Sequence, residues 1–269
     1  MIGFIVPFKP ASETKNWTKD NGLLQQTIFC LLQQTNPNFR VIVVYTDLPT
    51  FEVADQRVRM IQFPFPKLSL EEVPHYKDLI KRFSSEKLVV RRWDKGRKLA
   101  YAAKIAKEEG CDFIMAVDSD DLISNKLVDF VETQKAKDDS KGWYIDKGYF
   151  YEEGSDYLIR QPAMMNAING STHILHSSLV SIPSFKEENW ESYNLFTDHG
   201  WIRGRMKMEH NEELKPVPFY AVIYVTHGDN ISAIKEHLKG NIVKRFLKNL
   251  LRKRHLDALT RKEFSINRS

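Results

Sequence analysis

The sequence predicts an α/β protein built on a mainly parallel sheet flanked by helices. Three segments carry this expectation. IGFIVPF (2–8) and FRVIVVYTD (39–47) are short apolar runs, the second rich in β-branched residues, and between them GLLQQTIFCLLQQT (22–35) repeats its apolar residues at helical spacing. Strand, helix, strand in that order is a βαβ unit, whose strands lie parallel with the helix across one face. A third apolar run, FIMAVDSDD (113–121), follows DKGRKLAYAAKIAKEEGC (94–111), which reads as an Ala-, Lys- and Glu-rich helix closed by Gly110.

Taken in order, the first strand stops at Pro7 and the second closes on Asp47. The stretch from Pro49 to Pro74 is proline-rich and less regular, with HYKDLIKRF (75–83) as its helical part. Beyond Asp121, LISNKLVDFVETQKAK (122–137) reads as a helix, and KGWYIDKGYFYEEGSDYLIRQP (141–162) as aromatic-rich antiparallel strands. NGSTHILHSSLVSIP (169–183) is strand and turn, its NGST either a plain β-turn or a loop over a ligand. ESYNLFTDHGWIRGRMKM (191–208) leads to a last apolar strand, PFYAVIYVT (218–226). The expected organisation is a first half over 1–125, a second half of the same domain over 126–232 with a smaller antiparallel sheet, and a basic helical tail over 233–269.

A hydrophobic content of 42% with 12% aromatic residues is enough for a substantial core. No run of about 18 apolar residues marks a membrane span. MIGFIVPFKP has neither a cationic leader nor a small-residue cleavage site, so a cytoplasmic protein is expected. Cys30 and Cys111 sit in apolar segments without metal-binding spacing and read as buried thiols, which leaves the sequons at Asn16, Asn169 and Asn230 little weight. Within the net charge of +5, the tail 235–262 is dense in Lys and Arg, with Ile242, Phe246 and Leu250 at helical spacing. Such a helix either packs its apolar stripe on the domain or lies peripherally on an anionic membrane surface. No binding fold or aromatic-basic platform accompanies the charge, so nucleic acid is not an expected partner.

Asp47 and Asp118 both fall at carboxyl ends of parallel strands, where ligands of open α/β sheets bind. Asp118 and Asp120, one residue apart, suit a hard divalent cation and through it a phosphate, because Mg²⁺ and Mn²⁺ take oxygen ligands and commonly only one or two carboxylates. Asp121 reads as a cap or first-turn charge for the helix behind it. Asp94 and Lys98 fall at an expected helix N-terminus, where backbone N–H groups favour anions; a capped, solvated helix end accounts for them equally. Asp47 suits either a ligand contact at its strand end or an ordinary Asp-Leu-Pro turn.

The order of VPF, a helix followed by QQT, FRVIVV, a lysine-rich helix, DSDD and a distant HGDNIS (227–232) resembles the family 2 glycosyltransferases of the GT-A fold, over residues 2–232. That resemblance implies an inverting transferase moving a sugar from a nucleotide diphosphate, a UDP-sugar, to a carbohydrate or lipid-linked hydroxyl. It implies that Pro7, Phe8, Asp47, Asp94, Lys98, Asp118 and Ser119 contact the nucleotide sugar, with Asp118 near the ribose. It implies Asp120 as the direct metal ligand and His227 completing the site, which favours Mn²⁺ over Mg²⁺. A catalytic base is implied in FTDHGWIRGR (196–205), where Asp198 matches the family's aspartate, Thr197 replaces its usual acidic neighbour, and His199 competes for the role. Two other readings stay open: a sugar-phosphate nucleotidyltransferase, although the glycine-rich basic loop after the first strand is missing, and a non-catalytic carbohydrate-binding relative.

Overall fold

A computed structural model describes residues 1–186, 188–227 and 251–266. The first half folds into the expected parallel core. Strands β1 (Ile2–Pro7), β2 (Phe39–Tyr45), β3 (Val58–Gln62) and β4 (Phe113–Ala116) run parallel in the order β4-β1-β2-β3. The central strands β1, β2 and β4 are buried on both faces under helices and read as nearly continuous hydrophobic runs, whereas the edge strand β3 exposes Arg59 and Gln62. On one face lies α1 (Trp17–Leu32), N-capped by Asn16, whose side chain accepts from Lys19 N. On the other lies α3 (Glu86–Glu108), reached through α2 (Tyr76–Phe83). Two clusters follow from this layering, one around Phe4, Leu24, Ile28 and Val41 and another around Ile5, Ile42, Leu99 and Ala103.

Two elements differ from their expected bounds. Helix α3 begins at Glu86, N-capped by Ser85, so Asp94 lies more than two turns inside the helix. Gly96 and the β-branched Val89 and Val90 weaken helical propensity there, but Val89 and Trp93 are buried against Trp190 and Tyr193, and packing overrides propensity. Gly96 is required at that contact, since a Cβ would lie 2.6 Å from the Tyr193 carbonyl oxygen. Residues Asp121–Ile123 form a short strand, β5, and the next helix, α4 (Leu127–Lys135), starts four residues later.

The second half extends the main sheet and builds a second one. β6 (Gly142–Tyr144), β9 (His173–His176) and β10 (Lys215–Pro216) complete a seven-stranded sheet of order β10-β6-β9-β4-β1-β2-β3, with β9 antiparallel to β4 and β6. The five-stranded sheet has the order β12-β8-β7-β11-β5, from β7 (Gly148–Glu152), β8 (Tyr157–Gln161), β11 (Val222–Thr226) and β12 (Lys253–His255). All its pairings are antiparallel except β7 with β11. A mainly parallel sheet under helices, with a smaller and mostly antiparallel second sheet, is the α/β architecture the sequence predicts.

Part of the tail departs from the expected continuous helix. Lys253–His255 pairs with β8, and a short helix, α7 (Ala258–Glu263), follows, capped by Asp257. Leu256, Phe264 and Ile266 are buried against Leu23 and Cys30 of α1 and Leu122, Tyr149 and Leu158 of the smaller sheet. The remainder of the expected helix, 235–250, lies outside the described residues. No helix among the described residues is long and apolar enough to cross a membrane. Cys30 and Cys111 are buried free thiols, and burial pushes them up to about 12 and about 11.

Candidate active site

One cavity lies at the carboxyl ends of β1 and β4. Its wall includes Pro7 and Phe8 after β1, the turn Asp118–Ser119–Asp120 after β4, and His227 after β11. One residue, Val117, separates Asp118 from the end of β4, and the turn closes when Asp121 N donates to the Asp118 carbonyl. β5 then pairs antiparallel with β11, Tyr224 opposite Asp121, so the chain leaving β11 runs back along the turn and delivers His227 to it. His227 Nε2 lies 2.7 Å from Asp120 Oδ2. The hydrogen bond to Asp120 raises the His227 imidazole above its ordinary value, against the opposing effect of burial.

The α3 face toward the cavity is cationic. Lys95 Nζ lies 2.5 Å from Asp118 Oδ1. Lys98, fully buried, donates to the Phe8 carbonyl at 2.9 Å and to Asp94 Oδ2 at 2.7 Å. Burial pushes Asp94 up and Lys98 down, and each opposes the shift of the other. The expected anion-binding helix end is therefore replaced by an internal i, i+4 ion pair that fixes the backbone at the end of β1. Buried pairs of this kind are costly to break, because one partner alone leaves an uncompensated charge.

Asp121 is not a helix cap. It is fully buried in β5, and its Oδ2 accepts from Asn169 Nδ2 at 2.7 Å and Ser171 Oγ at 2.5 Å. Its Oδ1 has no hydrogen-bond partner among the described residues. Desolvation, and then the charges of Asp120 and Asp118, push Asp121 well above the usual carboxylate range. Asn169, which follows the short helix α5 (Met165–Ile168), is 1% exposed, so this sequon offers no acceptor site on the folded surface.

Two expected site residues stand elsewhere. Asp47 accepts from Ala11 N at 2.7 Å and holds the loop after β1; it does not line the cavity. Asp198 also stays outside the cavity lining, its carboxylate 3.3 Å from Arg82 Nη2 of α2. Its neighbours Thr197 and His199 line the cavity instead. The chain turns here into a 3₁₀ turn, His199–Trp201, ahead of α6 (Ile202–His210), and that turn directs successive side chains to different sides. Burial and then Lys95 lower the His199 imidazole, and Asp118 acts against them. Sequence reasoning missed Lys95, although its spacing from Lys98 puts both on adjacent turns of one helix face. It also missed Asn169 and Ser171 as partners of Asp121, for which no local signal exists.

Among the described residues, no three His, Cys, Asp or Glu side chains converge as a metal cage. Asp120 and His227 supply two donors. Their separation of 2.7 Å is near the roughly 3.0 Å between adjacent ligands of a six-coordinate ion with bonds of about 2.1 Å. The pair thus fits one edge of such an ion, with phosphate and water needed for the rest.

No family profile and no curated protein matches this chain. Solved structures similar to it include residues 1–349 of S. aureus TarS, with a TM-score of 0.47 at 13% identity, over 83% of this chain and 60% of that one. The same protein in complex with UDP-GlcNAc gives a TM-score of 0.46 at 15% identity, over 85% and 59%. Francisella tularensis 2-C-methyl-D-erythritol 4-phosphate cytidylyltransferase (IspD) gives 0.44 at 12% identity, over 92% and 99%. The chain thus spans about three fifths of the TarS 1–349 chain.

Proposed function

We propose that this chain is a nucleotide-diphospho-sugar transferase that uses a divalent cation, Mn²⁺ or Mg²⁺, and a UDP-sugar donor, and transfers the sugar with inversion to a carbohydrate or lipid-linked hydroxyl. The observation that supports it best is the meeting of Asp118 and Asp120 with His227, more than a hundred residues further along the sequence, at one cavity beside Lys95 and Lys98. A cation held by Asp120 and His227 would neutralise charge on a departing diphosphate. The chain's own residues do the rest. Pro7 and Phe8 shape the nucleotide end, with the Asp94–Lys98 pair holding their backbone. Asp118 suits the ribose hydroxyls, and Lys95 can exchange it for a phosphate oxygen. In the transfer, the acceptor oxygen bonds to the anomeric carbon, the carbon–oxygen bond to the diphosphate breaks, and a base takes the acceptor proton. His199 lines the cavity with a ring that burial and Lys95 keep neutral at pH 7, and it takes the base role in preference to Asp198.

The test is a thermal-shift screen of UDP and UDP-sugars with and without Mn²⁺, on the native chain and on Asp120→Asn. A ligand at a hundred times its Kd stabilises by about 2.7 kcal/mol, which is several degrees in Tm. Metal-dependent stabilisation absent from Asp120→Asn is the expected result. With the donor identified, His199→Asn should slow its turnover more than Asp198→Asn does. A screen without a metal-dependent shift, or pyrophosphate release from a nucleoside triphosphate, would overturn the reading.

A further inference from the structure

We infer that Asn169, Gly170 and Ser171 are positioning residues that hold the Asp118–Asp120 turn in its ligand-binding geometry; this rests on the nucleotide-sugar reading of the cavity. Three acidic side chains, at 118, 120 and 121, crowd this turn, so it needs a rigid support. Ser171 supplies it from both directions. Its Oγ accepts from Asp118 N at 2.8 Å and donates to Asp121 Oδ2 at 2.5 Å, joining the first and last carboxylate residues of the turn. Asn169 fixes Ser171, taking its backbone N–H on Oδ1 at 2.6 Å, while its Nδ2 donates to the same Asp121 oxygen. The carbonyl of Asn169 is tied in turn by Thr172 Oγ1 at 2.8 Å. Every side chain in this array is buried, and it is anchored to β9 of the main sheet rather than to the turn itself.

Gly170 completes the arrangement by what it lacks. A Cβ there would lie 3.2 Å from Asp118 Oδ2, so any larger residue crowds the carboxylate on its cavity side. The NGS segment therefore clamps the turn through its first and third residues and leaves Asp118 open through its second. Sites of this kind work only when their supporting residues hold the binding groups to within about 0.5 Å.

Two readouts on the intact chain test this: hydrogen exchange of the 117–121 amides, and UDP affinity in the presence of Mn²⁺. Ser171→Ala removes the acceptor of Asp118 N, so exchange at 117–121 should accelerate relative to β1 and β2, and the Kd for UDP should rise about 10–100-fold. Ser124→Ala is the control. It loses a hydrogen bond of similar burial, to Glu263 at 2.6 Å away from the cavity, and should leave both readouts unchanged. Gly170→Ala keeps both clamping side chains, so it should weaken UDP binding while exchange at Asp118 stays slow. If the native chain shows no affinity for UDP, the nucleotide reading fails by itself and exchange alone decides the clamp. Unaltered exchange at 117–121 in a folded Ser171→Ala protein, or UDP binding equal to that of the native chain, overturns the inference.

Discussion

His173 is a fully buried imidazole next to the clamp, and it makes the fold sensitive to acid. Thr172 Oγ1 donates to the Asn169 carbonyl and so receives the N–H of His173 Nδ1 at 3.1 Å, which leaves Nε2 as an unprotonated acceptor without a partner among the described residues. Burial, helped by His199 and Arg203, pushes this imidazole down to about 3. The unfolded chain therefore binds a proton that the folded chain refuses between about pH 6.5 and pH 3, so stability rises with pH across that window and levels off above it. At pH 4.5 the penalty is about 3 kcal/mol relative to pH 7, as an order of magnitude. Urea unfolding at both pH values should show a smaller acid loss for His173→Gln than for the native chain; equal losses would place the acid sensitivity elsewhere.

At the scale of elements, α1 joins the two sheets. Thr27 Oγ1 donates to the Asp121 carbonyl at 3.0 Å and Cys30 Sγ to that of Ile123 at 3.2 Å, so the helix braces both ends of β5, and Gln34 Nε2, just past the helix, donates to the Ser124 carbonyl at 2.9 Å just past the strand. The outer side of the same helix receives Phe264 and Ile266 behind α7. This makes the end of the described chain part of the core. Phe264→Ala should cost about 3–5 kcal/mol, read as a lower urea midpoint at an unchanged slope. A loss near zero would mean that α7 is a dispensable appendage. The basic residues that drew attention to this region act locally in part: Arg254 donates to Asp257 at 2.9 Å and to Tyr149 at 3.1 Å.

At the scale of the molecule, the cavity draws most of its wall from six stretches of chain, at 7–10, 90–98, 118–120, 168–170, 197–199 and 224–227, with Glu13 and Lys67 completing it. A ligand that binds there should slow hydrogen exchange in all six together, because each contributes to one enclosed volume. Protection confined to 118–120 would show a surface ion site rather than a nucleotide site. The first, third, fifth and sixth stretches carry motifs read from the sequence, VPF, DSDD, FTDHGWIRGR and HGDNIS, and the fourth falls on NGST, which read equally as a plain turn; the cationic wall from α3 was legible only in part.

The sequence by itself determined the α/β class, the strand, helix, strand order of the first half and the placing of Asp118 and Asp120 at a strand end, because periodicity and β-branching are local and each strand closes on a proline or an acid. Tertiary structure alone decided what the charged end of β4 does. Asp121 reads locally as a helix cap, yet two hydrogen bonds from residues 48 and 50 positions away keep it buried in a strand. Asp198 and His199 are adjacent, and the turn that carries them sends one to Arg82 and the other to the cavity. Burial and partner choice are pairwise properties of distant segments, and no spacing within one segment encodes them.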